Sequence, residues 1–189
     1  MATLSLDHAY RRVSVEEFLE MDFGGAKAEL DDGIIFMMAG GTEAHSRVAG
    51  NIFTFLRARL RGSGCRPYGS DLAARTSERT IRFADVSVYC TGRAEPGNAR
   101  RQLLGDPQVV VEVLSPSSAS HDQKTKLEEY RSLDGVREIL LVDSVEERVR
   151  LVARTGEHGW RDDWLPSGND VPLSSLGIAI PHAEIFARD

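Results

Sequence analysis

The chain has 189 residues and a net charge of −6, and its content of 41% hydrophobic and 28% charged residues is typical of a globular protein of one domain. The negative charge argues against a protein that coats nucleic acid without specificity, and no apolar run approaches the ~20 residues of a membrane-spanning helix. Cys65 and Cys90 are too few for a disulfide framework or a cysteine metal site, and the first residues lack the apolar segment of a secretory signal, so the expected compartment is the cytoplasm.

The N-terminal part of the chain predicts a helix, a hairpin and a second helix. Ser14 and Glu17 have the spacing of a capping box, which favours a short helix through about residue 21. The apolar segments 26–30 and 34–38 flank an Asp-Gly turn and therefore predict a β-hairpin. From Thr42 a longer amphipathic helix is predicted to run to about residue 61.

The remaining elements are mostly strands. Strands are predicted at 66–76 and 85–90, with 81–84 leading into the second, and an exposed loop follows at 91–106. A strand at 108–114 is followed by a helix from 115 to about 133 and a strand at 138–142. A hairpin is predicted at 148–153 and 160–165, and a short strand within 173–180. No internal repeat or interdomain linker is visible. This order predicts a single mixed α/β domain over residues 1–189.

The most informative segment is Gln108–Ser117, in which Glu112 interrupts a valine-rich strand. Such a strand is expected to be buried on both faces, and a carboxylate within it is costly unless a cation or hydrogen-bond donors meet it. A purely structural role is one interpretation. A carboxylate in a central strand is, however, more typical of a metal or catalytic ligand.

Two further carboxylates could meet Glu112 at the ends of predicted strands. Asp85 begins the apolar strand at 85–90, and Glu29 lies at the end of the first hairpin strand. Together they offer the all-oxygen environment that Mg²⁺ prefers, with water in the other positions. Each also has a plainer interpretation, since Asp85 could be a turn residue and Glu29 a solvent-facing carboxylate at the hairpin edge.

The predicted helix after Glu112 offers a cation. Its apolar stripe consists of Leu127, Tyr130 and Leu133. Lys126 falls about 40° from the centre of this stripe at ~100° per residue, whereas Lys124 points to water. We therefore expect Lys126 to reach toward Glu112, although an i,i+4 pair with Asp122 is the plainer alternative.

These residues resemble the PD-(D/E)xK nuclease superfamily, and within it the Uma-type family of restriction-endonuclease-like proteins. The resemblance rests on the segments AELDDGIIFMM, AHSRVAGNI, FADVSVY, VVVEVLSPSS, KLEEY and GVREILLVDS. It runs from Val13 to about Arg154, and VVVEVLSPSS with the following helix is its most specific part. The resemblance implies a restriction-endonuclease-like fold, a mixed β-sheet flanked by helices with a β-hairpin extension, with its core at about 13–154.

Two positions depart from the superfamily pattern. Ala84 stands where a proline usually precedes the first acid, which concerns backbone conformation rather than a functional group. Leu114 stands where the superfamily has its lysine, two residues after the glutamate, and leucine cannot supply that chemistry. In the Uma-type family a lysine from the next helix takes this place, and Lys126 is at the matching position.

The resemblance implies a nuclease that hydrolyses phosphodiester bonds, with DNA as the expected substrate and Mg²⁺ or Mn²⁺ as cofactor. Asp85 and Glu112 would bind the metal, with Glu29 completing the site. Lys126 would orient or deprotonate the attacking water, or stabilise the transition state. His45 would contact the phosphate or the water, or else be a polar group at a helix start. A homodimer with one site for each strand follows only by analogy with the fold.

Two other functions fit the same residues. A catalytically inactive relative would bind nucleic acid or a protein partner; the displaced lysine and the acidic charge favour it, whereas the retention of Asp85, Glu112 and Lys126 opposes it. A structural domain with a buried ion pair between Glu112 and Lys126 explains Asp85 poorly. No base-reading module is visible, so the sequence indicates no source of sequence specificity.

Overall fold

The computed structural model describes residues 11–90, 101–114, 122–157 and 159–188, and none of its helices is long and apolar enough to cross a membrane. Most of the predicted loop at 91–106 and the beginning of the predicted helix at 115–133 lie outside these ranges. The helices are α1 (Val15–Glu20), α2 (Glu43–Arg59), α3 (Leu127–Ser132) and α4 (His182–Ile185), with a π-helical turn at Asp122–Lys126 and a 3₁₀ turn at Ser174–Leu176. The strands are β1 (Ala28–Asp31), β2 (Ile34–Met37), β3 (Arg66–Gly69), β4 (Ala74–Ser77), β5 (Thr80–Arg82), β6 (Val86–Tyr89), β7 (Val109–Leu114), β8 (Glu138–Asp143), β9 (Arg148–Arg154), β10 (Trp160–Trp164), β11 (Val171–Leu173) and β12 (Ile178–Ile180).

The strands form two main sheets. The larger is a mixed six-stranded sheet in the order β10-β9-β8-β7-β6-β3, in which β7 and β8 run parallel and the other neighbours are antiparallel. The chain between the parallel strands includes α3, as a crossover connection requires. The smaller sheet is antiparallel, in the order β2-β1-β5-β4, and β11 pairs with β12. The predicted α/β architecture, a mixed β-sheet flanked by helices, is confirmed.

The strand β7 lies between β6 and β8 and is buried along its whole length. Val111 and Val113 pack on the face that α2 covers, whereas Val110 and Leu114 pack on the face that α3 covers. Because side chains alternate along a strand, Glu112 projects to the α3 face. The site is therefore built between this face and α3.

The predicted elements near the N-terminus are confirmed. The hydroxyl of Ser14 accepts from the N–H of Glu17, whose carboxylate accepts from the N–H of Ser14, which completes a capping box at the start of α1. Asp32 and Gly33 have positive φ angles of 46° and 81°, which the tight turn between β1 and β2 needs. The strand β1 also pairs with β5, so this hairpin forms half of the smaller sheet.

The prediction of one strand at 66–76 is wrong in extent. The segment contains two strands, β3 and β4, because the chain passes here from the larger sheet to the smaller one. The N–H of Leu72 bonds to the carbonyl of Gly69, and this turn separates β3 from β4. The lead-in segment 81–84 is likewise not continuous with the next strand, since β5 and β6 belong to different sheets. Asp85 lies in this second crossing, one residue before β6 begins.

The helix predicted after Glu112 differs in form but not in orientation. A π-helical turn, Asp122–Lys126, directly precedes α3. Lys126 is buried and Lys124 is exposed, which confirms the orientation that the apolar stripe predicts. The side chain of Asp122 lies outside the described residues, and so does the alternative pair that it would form with Lys126.

Cys65 and Cys90 form a disulfide that the sequence analysis does not predict. Arg66 pairs with Tyr89 across the antiparallel strands β3 and β6. The same register continued by one residue sets the two cysteines opposite each other. A single bridge between neighbouring strands needs only two cysteines, so the low cysteine count, which argues against a disulfide framework and a cysteine metal site, does not exclude it.

Candidate active site

Glu112 is held on the α3 face of β7 by a tyrosine and a lysine. The hydroxyl of Tyr130, on α3, donates to Glu112 Oε1 at 2.7 Å, and Lys126 Nζ lies 3.6 Å from the same oxygen. Glu112 is only 4% exposed and Tyr130 is fully buried. The carboxylate in the buried strand is thus met by a donor and a cation, as its desolvation requires.

Lys126 joins the two sheets. Its Nζ lies 3.1 Å from Glu29 Oε1, on β1 of the smaller sheet, as well as 3.6 Å from Glu112 on β7. The N–H of Phe83 also donates to Glu29 Oε1, at 3.1 Å. Lys126 therefore reaches toward Glu112 as predicted, but it approaches Glu29 more closely.

Asp85 and His45 form a second, more open part of the site. His45 Nε2 lies 3.0 Å from Asp85 Oδ1, and the N–H of Val113 donates to Asp85 Oδ2 at 2.7 Å. His45 lies in the first turn of α2, where its N–H donates to the hydroxyl of Thr42. The His45 and Asp85 side chains are 20% and 16% exposed, so solvent and a ligand can approach from this side.

The register of β6 and β7 places Asp85, one residue before β6, beside Glu112 on β7. Val86 pairs with Val111 in the β6–β7 register. Asp85 directly precedes Val86 and Glu112 directly follows Val111, so the register continued by one residue sets the two carboxylates opposite each other. The Cβ atoms of such neighbours are typically about 4.5–5.5 Å apart. This arrangement can present both carboxylates to one ion.

The carboxylate oxygens of Asp85 and Glu112 are the type of ligand that a hard divalent cation prefers. Mg²⁺ is typically held by one or two carboxylates, while water and substrate phosphate oxygens supply its other ligands. Asp85 and Glu112 match that number. Within the part of the chain that the structure describes, no group of three or more His, Cys, Asp or Glu side chains could hold a metal ion. Glu29 instead contacts Lys126 and Arg82.

Two residues that contact the predicted ones, Tyr130 and Arg82, are not among the predicted site residues. Tyr130 belongs to the apolar stripe of its helix, but its hydroxyl also binds Glu112. Arg82, on β5, is 1% exposed and lies between Glu29 and Glu129, a residue of α3. A signal was available for Arg82, since an arginine flanked by Ile81 and Phe83 is a charge in an apolar segment directly before Asp85.

Burial and the neighbouring Glu112 carboxylate raise the pKa of Tyr130 well above its usual value. The unfolded chain therefore releases this proton at a lower pH than the folded chain, so the free energy of unfolding should fall as pH rises above about 10. Tyr130→Phe should remove this contribution and flatten the dependence. Urea unfolding of both proteins between pH 8 and pH 11 measures it, and equal slopes would contradict the expectation.

A solved structure shares the fold over nearly the whole chain. The crystal structure of "a putative nuclease belonging to DUF820" from Anabaena variabilis superimposes with a TM-score of 0.76 at 16% sequence identity. The match covers 93% of this chain and 98% of that chain. At this level of identity the similarity establishes a common fold, in agreement with the α/β fold class that the sequence predicts.

Sequence relatives extend over most of the chain as well. An uncharacterized protein of Synechocystis sp. is 28% identical over 172 residues, which cover 90% of this chain and 89% of the relative. A second uncharacterized protein of the same organism is 27% identical over 135 residues, or 71% of this chain and 76% of the relative. The family model Uma2, described as "Putative restriction endonuclease", matches residues 15–180. With most of its length matched by that model, this chain belongs to the Uma2 family.

Proposed function

We propose that this protein is a metal-dependent nuclease that hydrolyses phosphodiester bonds in DNA. The observation that carries the proposal is the buried Glu112 carboxylate, which lies 3.6 Å from the ammonium of Lys126 and, by the continued β6–β7 register, beside Asp85. Family membership and the nuclease-like fold support a nucleic-acid substrate. The choice of DNA, of Mg²⁺ or Mn²⁺, and of each residue's role is part of the proposal.

Asp85 and Glu112 would hold the metal ion. A bound Mg²⁺ or Mn²⁺ supplies Lewis-acid chemistry, since it polarises the phosphate and lowers the pKa of water. The local charge favours such an ion. The site contains five carboxylates and two permanent cations. Asp85 contacts His45, whereas Glu29, Asp31, Glu112 and Glu129 contact Arg82 or Lys126. A divalent cation would offset most of this excess of negative charge.

Lys126 would act on the substrate itself. Its ammonium would orient the attacking water or stabilise the negative charge of the transition state, and its neutral amine form would be the one to deprotonate that water. Glu29, 3.1 Å away, would hold the ammonium in place. His45, with Nε2 at Asp85 and a partly exposed ring, would orient Asp85 and contact the phosphate.

A specific contact favours a second function, that of a catalytically inactive module that binds nucleic acid or a protein partner. Glu112 already has Tyr130 and Lys126 as partners, and Lys126 also pairs with Glu29. Such a network can satisfy the buried carboxylate without a metal. Affinity for a divalent cation is the property that separates the two functions.

The proposal also includes a homodimer and a cytoplasmic location. A dimer would present one site to each strand of a duplex. In the cytoplasm, thiols are normally kept reduced, so the Cys65–Cys90 bond would be open or transient there. Sedimentation of the purified protein tests the dimer, and alkylation of the two cysteines in freshly lysed cells tests the compartment.

We expect the metal-free protein to bind Mn²⁺ in a calorimetric titration and to cut DNA only when the ion is present. Supercoiled plasmid, single-stranded DNA and RNA should be assayed in parallel, each with Mn²⁺ and with EDTA. Mn²⁺ binding together with DNA cleavage supports the proposal. Binding without cleavage of any substrate favours the inactive module, and the absence of binding contradicts the metal site.

A further inference from the structure

The buried arginine Arg82 lies at the junction of the two sheets and α3. Its Nε donates to Glu129 Oε2 at 2.7 Å and its Nη2 to Glu129 Oε1 at 2.6 Å, so the two groups form a bidentate ion pair. Nη1 lies 3.4 Å from Glu29 Oε2, and Nη2 lies 3.0 Å from Asp31 Oδ1. One guanidinium thus fixes carboxylates of β1 and of α3 in a rigid, planar geometry.

Two routes connect Arg82 to Lys126. The first passes through Glu29, whose Oε2 faces Arg82 and whose Oε1 faces Lys126. The second passes through Glu129, which lies three residues after Lys126 in the same helical segment. Residues three apart on a helix share a face. The arginine therefore restrains both the carboxylate partner of the lysine and the backbone that carries it.

The position of Lys126 needs such a restraint. A lysine side chain has a flexible four-carbon stem, and its compact ammonium does not define an orientation by itself. The lysine also projects from the π-helical turn that begins the described part of this segment, rather than from the middle of a long helix. A second fixed point on α3, supplied by Glu129 and reinforced by the Thr76 hydroxyl at 3.1 Å, limits its motion relative to β7.

We propose that Arg82 and Glu129 are positioning residues that hold the Lys126 ammonium at the Glu112 carboxylate. This inference rests on the proposed function, because the lysine acts on substrate only there. Arg82 contacts Glu29, the partner of Lys126, and Glu129 belongs to the helical segment that carries Lys126, so both residues act through Glu29 and Lys126. The arrangement itself is independent of whether the protein cleaves DNA.

Lysine labelling tests the arrangement without substrate or metal. The chain's lysines are Lys27, Lys124 and Lys126, so an amine-reactive acetylating reagent followed by peptide mass spectrometry reports each one separately. In wild type the buried Lys126 should react much more slowly than the exposed Lys124. In Arg82→Met its rate should rise by about tenfold or more toward that of Lys124, because the restraint on local opening is lost.

Two further variants complete the test. Glu129→Gln keeps Arg82 and removes one charge of the pair, so it should also raise the acetylation rate of Lys126. This variant provides the test if Arg82→Met does not fold. Arg150→Met is the matched control, because Arg150 makes a bidentate pair with Asp162 at 2.7 and 2.8 Å on β9 and β10. The control should lose stability without exposing Lys126.

Selective labelling of Lys126 in folded Arg82→Met and Glu129→Gln, with no change in Arg150→Met, supports the proposal. A Lys126 rate that stays at the wild-type value in folded variants overturns it, whatever the enzyme's activity. Where wild type cleaves DNA, Arg82→Met should lower kcat by about 10–100-fold with little change in KM. The same change in a Lys126→Met background should have no further effect on kcat; an additive loss would overturn the positioning role.

Discussion

Glu112→Gln should abolish Mn²⁺ binding and lower the rate of DNA cleavage by more than about 100-fold. Mutation of a residue that only hydrogen-bonds to a metal ligand typically lowers metal affinity or activity by about 10–100-fold, and loss of the ligand itself should have a larger effect. The variant should fold as well as wild type or be slightly more stable. The amide oxygen of glutamine can still accept the Tyr130 hydroxyl bond, and Lys126 keeps Glu29 at 3.1 Å. Removal of one of several crowded carboxylates also relieves repulsion. Calorimetry, plasmid cleavage and urea unfolding measure the three effects.

Glu138→Gln is the matched control for this variant. Glu138 is also a buried glutamate in a strand of the same sheet, and it accepts from the N–H and the hydroxyl of Ser175. It pairs with Val109, at the opposite end of β7 from the site. We expect Glu138→Gln to keep metal binding, and Asp85→Asn to lose it like Glu112→Gln. Unfolding of both site variants would show that their carboxylates are structural.

Lys126→Met should separate metal binding from catalysis. Without the ammonium, cleavage should fall by about 10²–10⁴-fold, the usual contribution of a positioned acid–base group. Mn²⁺ affinity should stay equal or increase, because the cation that competes for Glu112 is gone. The metal-free variant should be about 3–5 kcal/mol less stable, since Glu29 and Glu112 lose their common buried partner.

Bound Mn²⁺ should restore part of that stability, and thermal melts with and without the ion measure it. Lys126→Arg keeps the charge and serves as the control for folding. Loss of Mn²⁺ binding in a folded Lys126→Met protein would mean that the lysine supports the metal site itself. Unchanged cleavage would assign the chemistry to another group.

Much of the site can be predicted from local patterns. Glu112 stands out because its neighbours in the strand are apolar, and Lys126 because its helix has a clear buried stripe. Both patterns involve residues that are close in the sequence, so the side-chain periods of a strand and of a helix are enough to predict which face each side chain lies on. The fold class follows in the same way, from the order of the elements. His45 and Asp85 were identifiable as candidates, but their mutual contact was not.

Long-range features were beyond these patterns. A chain that changes sheets at a turn, as after Gly69, looks like one strand because both halves have strand composition. Glu138 shows the limit of reasoning from burial, since it is as buried as Glu112 and its carboxylate accepts hydrogen bonds from the turn at Ser175. The partners of Arg82 come from three elements, so only the tertiary arrangement reveals its role.

The contacts of Lys126 have a consequence for folding. Its partner Glu29 belongs to the smaller sheet and its partner Glu112 to the larger one, and positions 29 and 126 are far apart in the sequence. Contacts between such distant positions carry a large loop-closure entropy and form after local ones. An incompletely folded chain, in which only one sheet has formed, would therefore have no assembled site, and the proposed hydrolytic activity would begin only when the native topology is complete.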